Sequence, residues 1–155
     1  MKMISTCMKQ NVISLTNDAE IVAALRLCQK YHIGTLPIVD RAGRLVGAVR
    51  MRDLISLGMP DFMRFIENID FIHNFGALEA YLPGKDVLSI PITKVMSEAV
   101  SVEVTTGLLR AAALMHKHQL NDIPVVDANN RLVGIASHVD IGVALLDIWL
   151  SKAEE

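Results

Sequence analysis

"RLVGIASHVD" occupies residues 131–140 and "RLVGAVRMRD" occupies residues 44–53, so the chain writes one phrase twice, 87 positions apart. Laying residues 34–53 on residues 121–140 gives eight identities in 20 positions. These are Pro37/Pro124, Val39/Val126, Asp40/Asp127, Arg44/Arg131, Leu45/Leu132, Val46/Val133, Gly47/Gly134 and Asp53/Asp140. Self-similarity of this kind reads as one supersecondary unit used twice. The match extends backwards, with a one-residue slip in the first loop, through "NVISLTNDAEIVAALRLCQKYHIGTLPIVD" (11–40) and "AVSVEVTTGLLRAAALMHKHQLNDIPVVD" (99–127).

Each copy predicts the same series of elements. A short β segment (12–15 or 100–103) leads to an amphipathic helix (roughly 18–31 or 106–118). Ile21, Ala24, Leu25 and Cys28 keep helical spacing on the first helix, as do Leu108, Ala111, Ala112 and Met115 on the second. Asn17 with Glu20 three places on reads as a capping box, and Thr105 or Thr106 offers a cap in the second copy. Two apolar β runs follow, with Gly43 and Asn130 where the hairpin needs a residue tolerant of positive φ. A further helix starts near Met51 and near His138. The fold class is α/β (α+β), a β-α-β-β-α unit twice over. One unit of under ~60 residues leaves an apolar sheet face bare, so the two pack on each other.

Bulk properties narrow the class. The 155 residues are 52% hydrophobic and 21% charged, a globular composition on the oily side. No apolar run reaches the ~18 residues of a membrane span, and the opening "MKMISTCMKQ" lacks the apolar core of a signal peptide. A cytoplasmic location is the expectation. Net charge is −2 with no basic cluster, which disfavours a nucleic-acid surface. Cys7 and Cys28 form no CxxC; Cys28 reads as a small core hydrophobe, with a regulatory Cys7–Cys28 disulfide as the alternative. His116 and His118 sit two apart on a helix and diverge, so no metal site is expected. No GxGxxG, GKT or GxSxG motif occurs.

The series "LPIVD…RLVGAVRMRD" and "IPVVD…RLVGIASHVD", each after an Ala-rich helix, resembles a tandem pair of CBS domains, a Bateman module. The resemblance implies two repeats related by a pseudo-two-fold axis, with repeat 1 at 1–58, a helical insert at 59–88 and repeat 2 at 89–155. It also implies a binder rather than an enzyme, and pairing into a homodimer. No effector domain accompanies the repeats, so output through a separate effector protein is expected.

In that family the loop G-x-x-(Ser/Thr)-x-x-Asp holds a nucleoside. An ionised Asp accepts from both ribose hydroxyls, while a hydroxyl and helix N-terminal amides suit a phosphate. Gly134 to Asp140 matches in full, with Ser137, Ile135 and His138 in the loop; Gly47 to Asp53 keeps Gly and Asp but has Arg50 at the Ser/Thr place. Carried across the repeats, Ser137 and Asp140 face Met8, Ile13, Gly34 and Thr35, an apolar slot for adenine. Arg50 and Asp53 face Met96, Ser101, Asn121 and Asp122, where Asp122 opposes phosphate or pairs with Arg50. An Asp at a helix start also serves as an ordinary N-cap. The expected ligand is AMP, ADP or ATP, with S-adenosylmethionine as the phosphate-free alternative and a ligand-free scaffold as the competing class.

All four Phe lie between the repeats, and Phe62, Phe65, Ile66, Ile69, Ile72 and Phe75 follow helical spacing. Asn68–Asp70 and Gly76 threaten to break that helix in two. Its stripe packs on the chain's own core, or serves as a dimer contact or lid.

Overall fold

The structure is a computed structural model describing the chain from Met1 to Glu155, the side chain of Arg64 excepted. In the first repeat β1 (Leu15–Thr16) runs parallel to β2 (Thr35–Val39), which is antiparallel to β3 (Leu45–Arg50). In the second, β4 (Val102–Glu103), β5 (Asp122–Val126) and β6 (Leu132–Ser137) repeat that order and those directions. The crossovers are α1 (Ile21–Tyr31) and α4 (Leu108–His118), and the third strands run into α2 (Met51–Ser56) and α5 (His138–Ala153). Both hairpins bulge at the same point, Ile38/Val39 and Val125/Val126. Their turns use the repeated Asp. Asp40 accepts from the amides of Ala42 and Arg44 at 2.9 and 3.0 Å, and Asp127 from those of Asn129 and Arg131 at 2.8 and 2.9 Å. Gly43 (φ 81°) and Asn130 (φ 61°) close them, as their place in the sequence requires.

The opening segment of each repeat crosses to the other. Ile4 is buried among Val102, Leu108, Met115, Ile123 and Ile141, whereas Ile92 is buried among Ile21, Leu36, Ile38 and Val49. Lys9 pairs with Ile135 at the edge of β6, and Ser97 pairs with Ala48 at the edge of β3. These segments correspond at an offset of 88 (Ile4 with Ile92, Met8 with Met96) and the strands at 87, so the slip lies between residues 9 and 15. Cys7 packs on one core and Cys28 lies in the other; both are free thiols, so the disulfide alternative falls.

That exchange also replaces the expected helix caps. Glu20 and Gly107 are the N-caps, and neither uses a side chain. The first amide of α1 instead donates to the Ile90 carbonyl (2.9 Å) and that of α4 to the Lys2 carbonyl (3.3 Å). Backbone from the other repeat satisfies groups that a capping box otherwise would. Where the repeats meet, counterpart faces counterpart. Arg44 bridges Arg131, Leu45 N donates to Asn130 O (2.9 Å), and Leu132 N donates to Gly43 O (3.0 Å). This is the pattern of a pseudo-two-fold axis.

The region between the repeats forms no continuous helix. It holds 3-10 turns at Asp61–Phe65 and Gly76–Ala80 and the short α3 (Lys85–Leu88). Asn68 Oδ1 accepts from the Asp70 amide (3.2 Å) and Asn74 Oδ1 from the Gly76 amide (3.0 Å), local bonds that compete with a helical ladder. Phe65 and Phe71 are 82% and 73% exposed, so the stripe does not pack as a unit on the core.

Candidate functional site

The loop after β6 is built by reciprocal capping. Ser137 Oγ accepts from the Asp140 amide (3.0 Å), and Asp140 Oδ2 accepts from the Ser137 amide (2.9 Å). Two orphan amides of α5 are satisfied at once. Asp140 is therefore the third residue of the helix, not its N-cap, and its carboxylate folds back on the helix start with its side chain 24% exposed. Lys9, whose backbone pairs both ways with Ile135 (2.8 and 2.9 Å), brings its Nζ to 3.8 Å from Asp140 Oδ2. The Lys9 side chain remains 69% exposed, so this ion pair contributes little to stability and is free to exchange partners.

A cavity of about 220 Å³ lies between the repeats beside this pair. Ile13, Gly34, Thr35 and Ile135 line it together, four of the residues the sequence places at the main site. Lys9, Asn11, Val12, His32, Ile33 and Asp122 complete the wall. The wall is mixed: Val12, Ile13, Ile33 and Ile135 give it an apolar side, while Lys9, Asn11, His32, Thr35 and Asp122 line the rest. Thr35 is buried and donates its hydroxyl hydrogen to Asp122 Oδ2 at 2.9 Å.

Met8 does not line the cavity; it packs so tightly on Gly134 that an added Cβ would lie 2.5 Å from its Sδ. Ser137 and Asp140 do not line the cavity; Asp140 reaches its wall only through the Lys9 ion pair, and Ser137 only through its bonds to Asp140. His138 turns elsewhere: its amide donates to the Asn121 carbonyl (2.9 Å), and both residues line a separate cavity of about 510 Å³ with Met115 and His116. Lys9 escaped the sequence reading because the matching place in the other repeat is Ser97. Its signal was only its adjacency to Met8.

The second set does not assemble in the same way. Arg50 folds onto its own helix start, its amide 3.3 Å and its Nε 3.8 Å from Asp53 Oδ2. The Arg50–Asp122 pair, one of the two alternatives for this site, does not form; Asp122 accepts from Thr35 instead and lines the main cavity. Met96 packs on Gly47 as Met8 does on Gly134. Ser101 lines another cavity with Arg110 and Asn130, and Asn121 stays with His138.

Charge at the main site reaches Cys7. Burial pushes its thiol pKa up, and the Asp140 carboxylate adds to that rise. Among the described residues no three His, Cys, Asp or Glu side chains gather as a metal site, and no helix is long and apolar enough to cross a membrane.

Comparison with known proteins follows the same division. A family model of the CBS domain matches residues 4–59 and 86–147, leaving 60–85 between the two matches. The CBS domain-containing protein YhcV of Bacillus subtilis is 29% identical over 144 residues, covering 92% of this chain and 85% of that protein. The inosine-5'-monophosphate dehydrogenase of Halalkalibacterium halodurans is 30% identical over 131 residues. That match takes in 84% of this chain but only 22% of the dehydrogenase, so this chain spans about a fifth of that relative's length. Among solved structures, that of CBSX2 in complex with AMP has a TM-score of 0.71 at 24% identity and covers 96% of this chain and 98% of that one.

Proposed function

The chain belongs to the CBS domain family, and on that premise we propose that it is a non-enzymatic regulatory module binding one adenine nucleotide per protomer in the Asp140 cavity. The observation that carries this is the convergence of Ile13, Gly34, Thr35 and Ile135 from both repeats beside the Lys9–Asp140 pair. The apolar side of the cavity wall, Val12, Ile13, Ile33 and Ile135, takes the base. A phosphate draws the Lys9 ammonium away from Asp140, and the released carboxylate oxygen accepts from the ribose hydroxyls. The likeness to an AMP-bound structure supports this reading of the cavity. The dehydrogenase relative lends no catalysis here, because its match is confined to a fifth of that enzyme.

Such a ligand touches the opening segment and β2 of repeat 1 and, through Lys9 and Asp140, β6 and α5 of repeat 2. Its binding energy therefore biases how the repeats sit together, and a homodimer and a separate effector protein in the cytoplasm read that bias. Calorimetry with AMP, ADP, ATP and S-adenosylmethionine tests the reading; one tight adenine nucleotide per protomer is expected. Asp140→Ala weakens that ligand by about 1.5–3 kcal/mol, the range for hydrogen bonds to a charged group. Lys9→Ala weakens nucleotides but spares S-adenosylmethionine. Folded protein that binds none of the four leaves the ligand-free scaffold in its place.

A further inference from the structure

The far end of β5 opens onto a second, polar cavity. Asp122 begins that strand on the wall of the Asp140 cavity. Val126 ends it about 13 Å away, on the wall of a separate cavity of about 480 Å³. Ser101, Glu103, Thr106, Arg110 and Asn130 give this cavity a polar lining over buried Val102 and Val126. The lining belongs to repeat 2 alone. At the offset of 87, Thr106 corresponds to Ala19, Arg110 to Ala23 and Asn130 to Gly43, so repeat 1 carries none of these polar groups at the same place. Both repeats build the same strands and helices, so the fold itself does not require these side chains.

Thr106 is only 9% exposed. Its backbone is spent, the amide on the Glu103 carbonyl (2.9 Å) and the carbonyl on the Ile4 amide (2.8 Å). Among the described residues its hydroxyl has no partner and no unpartnered side-chain atom is sealed inside, so that hydroxyl opens on the cavity Thr106 lines. It stands at the start of α4, where, among the described residues, no acceptor pairs with the amides of Leu109 and Arg110. A helix start in that state favours an anion. The Arg110 guanidinium lines the same cavity and, among the described residues, makes no ion pair. Glu103 also lines it without an ion pair. Asn130 spends an amide hydrogen on the Leu45 carbonyl (3.1 Å) and keeps its oxygen as an acceptor. The wall thus holds two opposite charges that do not neutralise each other. We propose that this cavity binds a small zwitterion of the α-amino acid class. Its carboxylate meets Arg110, Thr106 and the start of α4, and its ammonium meets Glu103 and the Asn130 oxygen. A phosphate meets Glu103 as a like charge and a simple amine meets Arg110 as one, so only a ligand of both signs satisfies the wall. The inference does not rest on the nucleotide reading of the Asp140 cavity.

Thermal melts of the full chain test it, with each common L-amino acid at millimolar concentration beside acetate, inorganic phosphate and ethylamine. At least one amino acid is expected to raise the midpoint where the three probes of a single sign do not, and calorimetry then measures its affinity. Arg110→Ala and Thr106→Ala install the residue that repeat 1 carries at each place, and Arg110 is exposed, so its loss leaves the core intact. Each change should weaken the amino acid about tenfold or more. Glu103→Gln keeps the shape, removes the charge and should weaken it as well. AMP titration of Arg110→Ala is expected to match the native protein, which separates this cavity from the Asp140 site whatever AMP itself does. No midpoint shift with any amino acid, or native affinity in Arg110→Ala, overturns the proposal. So does tighter binding of phosphate or acetate than of every amino acid, or a gain in affinity in Glu103→Gln, since either marks a plain anion site.

Discussion

Thr35 Oγ1 lies 2.9 Å from Asp122 Oδ2, and the two residues hold the same place in the two repeats, 87 positions apart. Each opens the middle strand of its sheet, with Arg50 and Ser137 as their cross-strand partners. The axis that relates the repeats therefore passes close to a hydrogen bond between non-identical counterparts, one a donor and the other an acceptor. Thr35→Val keeps the shape and removes the donor. A double-mutant cycle with Asp122→Asn is expected to show coupling of about 1 kcal/mol in urea unfolding. Additive losses would dismiss the bond as a link between the repeats.

The two glycines under the methionines separate stability from binding. At Gly134 an added Cβ would lie 2.5 Å from Met8 Sδ and 3.2 Å from the Lys9 carbonyl oxygen; at Gly47 it would lie 2.7 Å from Met96 Sδ and 3.0 Å from the Ser97 carbonyl oxygen. Both Gly→Ala changes should cost about 1–3 kcal/mol by overpacking. Only Gly134→Ala displaces Lys9, so it alone should weaken AMP in calorimetry. Equal effects of the two on AMP would argue against a one-sided site.

Arg50 occupies a cap position it cannot fill. A guanidinium has no acceptor, so Asp53 receives the Arg50 amide but nothing on Arg50 returns the favour, unlike Ser137 at the start of α5. Arg50→Ser is expected to stabilise the protein by about 0.5–1 kcal/mol. The thermal midpoint should rise; a fall would mean that the Arg50–Asp53 ion pair matters more than the cap.

Cys7 reports on the charge of Asp140. Its thiol pKa is raised first by burial and then by that carboxylate, and the thiolate is the reactive form. Alkylation near pH 8 should run slower than for a free thiol and accelerate as pH rises. Asp140→Asn removes the lesser cause, lowers the pKa part of the way and speeds the reaction. Peptide mapping assigns the product to Cys7 rather than buried Cys28. An unchanged Cys7 rate in Asp140→Asn would show that the carboxylate does not act on the thiol.

Much of this molecule was legible in one dimension because the information is local or periodic. The repeated phrase ending in Asp53 and Asp140 marks two hairpins each followed by a helix, since alternation, turn residues and helical spacing are properties of neighbouring residues. Gly43 and Asn130 were readable as positive-φ positions for the same reason, and Ile13, Gly34, Thr35 and Ile135 could be grouped because the repeat matches a known family. Where the reading erred, it trusted local signals that lost a competition. Asn17 and Thr106 looked like caps until backbone from the other repeat took the first amides of α1 and α4. The Phe spacing looked helical until Asn68 and Asn74 bonded their own backbone instead.

Tertiary structure alone decided what crosses between the repeats. The exchange of opening segments carries Lys9 to Asp140 and Ile4 into the distant core, and it depends on which sheet edge stands open rather than on any residue's own preference. The sequence set Asp122 against phosphate and offered it Arg50 as a partner. The strand register gave it to Thr35 instead, and so moved its charge from one site to the other. Local pattern determines which elements form; the pairing of their edges determines which charges meet.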